Sequence, residues 1–268
     1  MDIIDAHIHF NPEITDFAQL ARQAGHEYSA EHLREEFHRL HIGGAIVMGN
    51  GALEPEKHAY PDFLHYCIGL DGDWLETIEP RRVLELVEAN LRRSQCVGVK
   101  LYPGYSHIYV SDRRYAPLYE LAAQYDKAVA IHTGATAGGM GLLKYSHPLT
   151  VDEAAVQFPQ TRFVMCHFGN PWLTDAAAVM EKNENVFADL SGLLEGRFDL
   201  DSLLEENSGY FDLLRTWMGY AGGYHKLMYG TDWPLVNLEQ YLACIARIVP
   251  EQYHEDVFCQ TAKQVYGL

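Results

Sequence analysis

Eight short apolar runs alternate with longer stretches of helical periodicity along the whole chain, and this alternation is the strongest constraint on the fold. Most runs are rich in Val, Ile, Phe and Tyr and are apolar at nearly every position, which is typical of parallel strands covered on both faces. The runs span residues 2–10, 44–49, 63–70, 96–102, 128–133, 162–168, 185–191 and 225–232. Helical stretches are predicted at 16–25, 30–40, 80–93, 115–125, 150–157, 171–183, 201–218, 237–248 and 252–266.

This order of strands and helices predicts an α/β fold, a (β/α)8 TIM barrel formed by one domain over residues 1–268. Such barrels typically contain about 250 residues, which matches the length of the chain. A doubly wound open sheet is the alternative fold. The sequence contains neither a GxGxxG nor a GxxxxGK[ST] phosphate loop, which disfavours that alternative. There is no internal repeat and no stretch that resembles a linker.

The composition excludes two classes of function. The chain carries 37 Asp and Glu against 20 Lys and Arg, so its formal net charge is −17. A nucleic-acid binder needs a basic face, and so does a protein that docks on an anionic membrane.

No apolar run approaches the roughly 20 residues of a membrane helix. Five cysteines without CxxC spacing indicate reduced thiols, and no signal peptide is recognisable, so we expect a cytoplasmic protein and, as its oligomer, a homodimer.

Ionisable side chains lie at or near the carboxyl ends of the apolar runs, where a barrel gathers its active-site residues. They are His7, His9, Lys100, His132, His167 and Asp232. Burying so many polar groups together is costly unless they have partners. A divalent metal removes that cost, because imidazole and carboxylate groups are suitable ligands, and zinc is the default ion. The pattern therefore predicts a catalytic metal site at one rim of the barrel.

Five motifs give this sequence a resemblance to a known family. They are DAHIHF at 5–10, GVKLYPGY at 98–105, the segment 115–134, CHFGNPW at 166–172 and YGTDWP at 229–234. Over nearly its whole length the chain resembles the metal-dependent amidohydrolase superfamily. It is most similar to the branch that holds small amidohydrolase-related (amidohydrolase 2) hydrolases and the nonoxidative aromatic acid decarboxylases.

The resemblance implies roles for individual residues. His7, His9 and His132 match metal ligands of the family, and Asp232 matches a residue that is both ligand and proton shuttle. These four residues are the ligands that we expect for the first metal. A divalent ion lowers the pKa of a bound water from about 15.7 to near 7, so Asp232 could serve as general base and then as general acid.

The resemblance leaves the number of metals open. His167 matches the histidine of the sixth strand, which orients the attacking water in mononuclear members and binds a second metal in binuclear ones. Lys100 matches a lysine that some members carry as a carbamate bridging two metals, although this branch often leaves it unmodified. We expect one Zn²⁺ per chain, with Asp232 and His167 as catalytic residues. A second ion would use Lys100 and His167.

Substrate contacts are expected from the loops that follow the strands. The glycine-rich segment 134–148 has the composition of a lid. The candidate substrate-binding residues are Lys100, Tyr105, Arg113, Lys144, His147 and Trp172. Cations at the rim of so acidic a protein indicate an anionic small molecule such as a carboxylate. The alternative is that these are ordinary solvated loop charges.

The sequence therefore predicts a metal-dependent hydrolase that cleaves an amide, lactone or ester bond of a small molecule. The main alternative is a metal-dependent nonoxidative decarboxylase of an aromatic or enoic acid, because the ligand spacing does not separate the two reactions. A binding protein that has lost its activity is a further alternative. An aldolase-type barrel in which Lys100 forms a Schiff base is another.

Overall fold

The computed structural model describes residues 2–72, 74–220 and 222–268, and each predicted apolar run forms one strand of a single parallel sheet. The strands pair in chain order from β1 to β8. Their bounds are Ile3–Ile8 (β1), Ile42–Met48 (β2), Leu64–Leu70 (β3), Cys96–Leu101 (β4), Ala128–Ile131 (β5), Phe163–Met165 (β6), Val186–Asp189 (β7) and Leu227–Met228 (β8). These strands are almost completely buried, as expected of a parallel sheet that is covered on both faces.

The segment that follows β8 runs beside β1 and brings the sheet close to a closed barrel. The Ala6 amide donates to the Tyr229 carbonyl at 2.9 Å, and the Asp232 amide donates to the His7 carbonyl at 2.8 Å. The Thr231 hydroxyl donates to the buried Asp5 carboxylate at 2.6 Å. The (β/α)8 prediction is confirmed, and Asp232 is held next to the end of β1.

Helices surround this barrel. They are Thr15–Gln23 (α1), Ala30–Leu40 (α2), Trp74–Thr77 (α3), Pro80–Leu91 (α4), Pro103–Ser106 (α5), Ala116–Gln124 (α6), Leu143–Ser146 (α7), Leu149–Gln157 (α8), Leu173–Lys182 (α9), Leu200–Glu206 (α10), Ser208–Tyr220 (α11), Leu238–Ile248 (α12) and Thr261–Tyr266 (α13). Ser29 caps α2, accepting a hydrogen bond from the His32 amide at 3.2 Å. Among the helices described, each is too short or too polar to cross a lipid bilayer.

Two predicted helices differ from the observed ones. The stretch at 201–218 is divided at Asn207, whose side-chain amide bonds back to the Leu203 carbonyl at 3.2 Å and competes with helical bonding. The stretch at 252–266 contains a π-helical turn, Asp256–Gln260, ahead of α13. The short helices α3, α5 and α7 were not predicted, because single turns carry no measurable periodicity.

A cluster of apolar side chains fills the interior of the barrel. It draws residues from all eight strands, among them Ile4, Val97 and Phe187. The same cluster includes Val265 and Tyr266 of α13, so the last helix completes the interior packing. The opposite, carboxyl-terminal end of the strands is left for the polar residues of the candidate site.

His26 connects the segment after α1 to α12, and its burial predicts a pH-dependent stability. The Leu238 amide donates to Nε2 at 3.1 Å, so Nδ1 carries the proton and donates to His32 Nε2 at 3.0 Å. Burial, reinforced by His32, lowers the pKa of His26 from 6.5 to about 4. Between pH 6.5 and pH 4 the unfolded chain binds a proton at His26 that the folded protein does not bind. The contribution of the uncharged His26 to stability is therefore complete above pH 6.5 and is lost as the pH falls towards 4.

We therefore expect the unfolding free energy to fall by about 2 kcal/mol between pH 7 and pH 5 through this group. Urea unfolding of wild type and His26→Gln at both pH values measures the difference. The variant should show a smaller loss, whereas the exposed His38→Gln variant should keep the wild-type dependence. An identical loss in all three proteins would show that other groups control acid stability.

Candidate active site

Three ligand-type atoms meet at the carboxyl-terminal rim of the barrel. His7 Nε2 lies 3.4 Å from Asp232 Oδ1, and His9 Nε2 lies 3.2 Å from the same oxygen. All three atoms lie within 4.8 Å of one another. Ligands about 2.1 Å from a tetrahedral zinc ion lie about 3.4 Å apart, so this spacing fits one small divalent cation.

The other nitrogen of each imidazole is held by an acceptor. His7 Nδ1 donates to Asp189 Oδ2 at 2.9 Å, and His9 Nδ1 donates to Asn50 Oδ1 at 2.8 Å. The unprotonated Nε2 of each ring therefore faces Asp232. His7 Nε2 and Asp232 Oδ1 are buried without a hydrogen-bond partner among the described residues, which is an unfavourable state for two polar atoms unless a cation lies between them. The residues present thus fit a metal ion.

The electrostatics of the site favour ligand-competent protonation states. Burial lowers the pKa of His7 to about 4, although the Asp189 carboxylate opposes this shift. Burial raises the pKa of Asp232, but the neighbouring His7, His9 and His167 rings outweigh it and hold the pKa well below its usual value. At neutral pH the His7 imidazole is therefore uncharged and the Asp232 carboxylate is ionised, as metal binding requires.

His132 lies across the site from the first three residues and contacts His167. The Ala135 carbonyl accepts a hydrogen bond from His132 Nε2 at 3.0 Å, so Nδ1 is unprotonated and faces His167 Nε2 at 3.1 Å. His167 Nδ1 in turn donates to the Ser191 hydroxyl at 2.9 Å. Two acceptor nitrogens thus face each other, and a proton or a cation between them is needed to stabilise the pair.

The backbone around His167 and Asp232 is strained. Both residues have left-handed conformations, with φ of 61° and 62°, which non-glycine residues rarely adopt. Such conformations cost of order 1 kcal/mol each and cluster at functional sites. Gly192 is required beside them, because a Cβ there would lie 2.6 Å from His167 Nδ1. The fold holds these two side chains in position at a cost in stability.

Lys100 lies below the site instead of in the cavity. Its side chain is completely buried, and Nζ donates to Cys166 Sγ at 2.7 Å and lies 5.1 Å from the centre of the Tyr102 ring. His7, Cys166 and Asp189 form a second group with ligand spacing, but their polar atoms are already engaged with Lys100 and with each other. The predicted roles of Lys100 in a carbamate or in substrate binding remain predictions.

A cavity of about 370 Å³ opens above these residues, lined by His9, His132, His167 and Asp232. Tyr105 also lines it, as predicted for a substrate contact, and its hydroxyl accepts a hydrogen bond from the Ala137 amide at 2.8 Å. This volume is suitable for a small molecule.

The other predicted substrate contacts lie outside the cavity wall. Arg113 is exposed, Lys144 lies over the Tyr145 ring at 4.7 Å, and His147 packs against Trp172 at 4.8 Å. The prediction of an anionic substrate rested on such rim cations, and the described part of the wall contains none of them.

Several residues of the site were not predicted. Asn50, which positions His9, follows β2, and Asp189, which positions His7, ends β7. Asp189 carried the same signal as Asp232, a carboxylate at the end of a buried strand, and could have been found from it. Glu195 and Leu235 line the cavity from loops, where the sequence offers no periodic signal.

Enzymes with a (β/α)8 barrel have their active sites at the carboxyl-terminal rim, and the polar side chains of this barrel gather at the same rim. The family model described as Amidohydrolase matches residues 4–268, and the chain belongs to this family. No curated protein matches the chain.

Solved structures confirm the fold. An amidohydrolase from Burkholderia multivorans with bound zinc is 17% identical, with all of both chains covered and a TM-score of 0.73. A probable 2-pyrone-4,6-dicarboxylic acid hydrolase from Acinetobacter baumannii with bound citric acid is 16% identical, with all of both chains covered and a TM-score of 0.66. A dihydroxybenzoic acid decarboxylase from Polaromonas sp. JS666 with bound manganese and 2-nitroresorcinol is 12% identical, covering 100% of this chain and 96% of that one, with a TM-score of 0.68.

Proposed function

We propose that this protein is a metal-dependent hydrolase that cleaves an amide, lactone or ester bond of a small molecule. The observation that carries the proposal is the position of Asp232, whose two oxygens face different groups. Oδ1 faces the Nε2 atoms of His7 and His9, whereas Oδ2 lies 4.0 Å from His167 Nδ1. One carboxylate can therefore serve as ligand and as proton acceptor.

His7, His9 and Asp232 would hold the metal, with His132 as the further ligand that the family resemblance implies. The ion would supply Lewis acidity and a water of lowered pKa. We infer a single ion, because the Lys100 amine that a bridging carbamate needs is in contact with Cys166. Zinc is the proposed ion, in line with the zinc in the Burkholderia neighbour, although the Polaromonas neighbour holds manganese.

The chain's own residues would carry the proton transfers. The ionised Asp232 accepts a proton from the attacking water and then delivers it to the leaving group. His167 is placed beside Asp232 to orient the water or to polarise the substrate carbonyl. Asn50 and Asp189 keep the His9 and His7 rings in the required tautomers. Both the cytoplasmic location and the homodimer remain predictions.

Decarboxylation is the second candidate, because the fold is shared with the Polaromonas decarboxylase as well as with the probable Acinetobacter hydrolase. Product analysis of the zinc-loaded protein separates the two reactions. We expect proton release from lactones and esters or free amine from amides, and no CO2 from dihydroxybenzoates. Release of CO2 without any hydrolysis would reject the hydrolase assignment. Neither product, with metal bound, would favour the inactive binding protein.

A further inference from the structure

We propose, resting on the proposed function, that the cavity takes a substrate without negative charge away from the bond that is broken. In this proposal, Glu195 excludes substrates that carry a negative charge at that position.

The wall offers apolar and uncharged polar surface beyond the reacting groups. Phe17, Leu20 and Leu235 supply apolar surface, and Asn50 and Tyr105 supply hydrogen-bonding groups without charge. In the part of the chain that the structure describes, no lysine or arginine contributes to this wall. Among the described residues of the wall, Glu195 is the single charged side chain besides Asp232 and the histidines.

Three cations on or after strands β4 and β5 contact other groups. Lys100 is buried against Cys166, Lys144 covers the Tyr145 ring, and Arg114 is paired with Asp112 at 2.9 Å. A carboxylate bound in the cavity away from the reacting bond would lose hydration, and the described wall residues offer it no lysine or arginine in return. Such a transfer is unfavourable even without a neighbouring negative charge.

Glu195 adds a negative charge at a position that the backbone fixes. On one side, Gly192 packs against His167 and Asp232. On the other, the Gly196 amide donates to the Leu235 carbonyl at 2.7 Å, and the Asn237 amide donates to the Gly196 carbonyl at 2.9 Å. The loop is therefore held on both sides of Glu195. Its carboxylate repels a like charge that enters the cavity, and the repulsion weakens with added salt.

The experiment compares two esters that differ only at the end of the acyl chain. 4-Nitrophenyl butyrate ends in a methyl group and 4-nitrophenyl hydrogen succinate in a carboxylate. In low salt, with the spontaneous hydrolysis of each ester subtracted, we expect the zinc-loaded wild type to favour the butyrate in kcat/KM by about tenfold. Glu195→Gln should reduce this preference to about twofold to threefold. Glu205→Gln removes the same charge from an exposed position on α10 and should leave the preference unchanged.

Binding of uncleavable ethers gives the same comparison without turnover. A methylene replaces the ester carbonyl in 4-nitrophenyl butyl ether and in 4-(4-nitrophenoxy)butanoate, and calorimetry measures both affinities. If neither ester is cleaved but the neutral ether binds better in a manner that depends on Glu195, the charge rule stands and the proposed ester hydrolysis fails. If the esters are cleaved and the succinate is equal or preferred, or Glu195→Gln changes nothing, the charge rule is overturned and the hydrolase remains. Equal binding of the two ethers also overturns it.

Discussion

Asp232→Asn is expected to lower turnover of the zinc-loaded enzyme by about 1000-fold, within the range that general acid–base catalysis contributes. The amide has nearly the same shape as the carboxylate, so it fills the same space beside His7 and His167. It cannot accept a proton from water, however, and it cannot deliver one to the leaving group. Its carbonyl oxygen remains available to the metal, so most of the bound ion should be kept.

Steady-state kinetics and metal content by plasma mass spectrometry, measured on the same preparation, check this expectation. Asp201→Asn makes the same chemical change at an exposed position on α10 and should behave as wild type. Turnover that survives in Asp232→Asn with its metal in place would remove Asp232 from the proton pathway. Loss of metal together with activity would show that its role as a ligand is the larger one.

Metal content is the second property for which we expect a large effect. The wild-type protein should hold about one transition-metal ion per chain, and the double variant His7→Ala/His9→Ala should hold less than about 0.1 after the same zinc loading and dialysis. The reason is that the double variant leaves a single carboxylate from the group of three donors. His38→Ala/His254→Ala removes two imidazoles that belong neither to this group of donors nor to the cavity wall, and should keep the wild-type content.

Asp189→Asn provides an intermediate case in the same measurement. It leaves all three donors in place but weakens the hydrogen bond that orients His7, and removing such a partner costs about 10- to 100-fold in metal affinity. Titration against a chelator of known affinity gives this value. Two ions per chain in wild type would bring Lys100 back as a bridging carbamate. No ion after loading with zinc or manganese would contradict the metal site itself.

The sequence predicted the barrel and the rim because both depend on periodic signals. All eight strands are recognisable as buried runs. The ligands predicted for the first metal lie at or near the carboxyl ends of these runs, and the barrel topology brings those ends to one rim. The contact between His132 and His167 was not predictable, because it depends on the left-handed backbone at His167. The positions of the loop side chains were not predictable for a related reason, and their roles in substrate binding stay predictions. Lys144 and Arg113 lie in segments that follow strands, but neither residue lines the cavity.

The interior cluster has a consequence for the order in which the protein can be made. It joins Ile4 of β1 to Val265 and Tyr266 of α13. The Asp5 carboxylate of β1 likewise accepts its hydrogen bond from Thr231, which follows β8. During synthesis β1 therefore leaves the ribosome well before β8 and α13, which cover it in the folded protein, have been synthesised. The interior of the barrel is therefore complete only after α13 has been synthesised, and until then the apolar side chains of β1 lack their native contacts with β8 and α13.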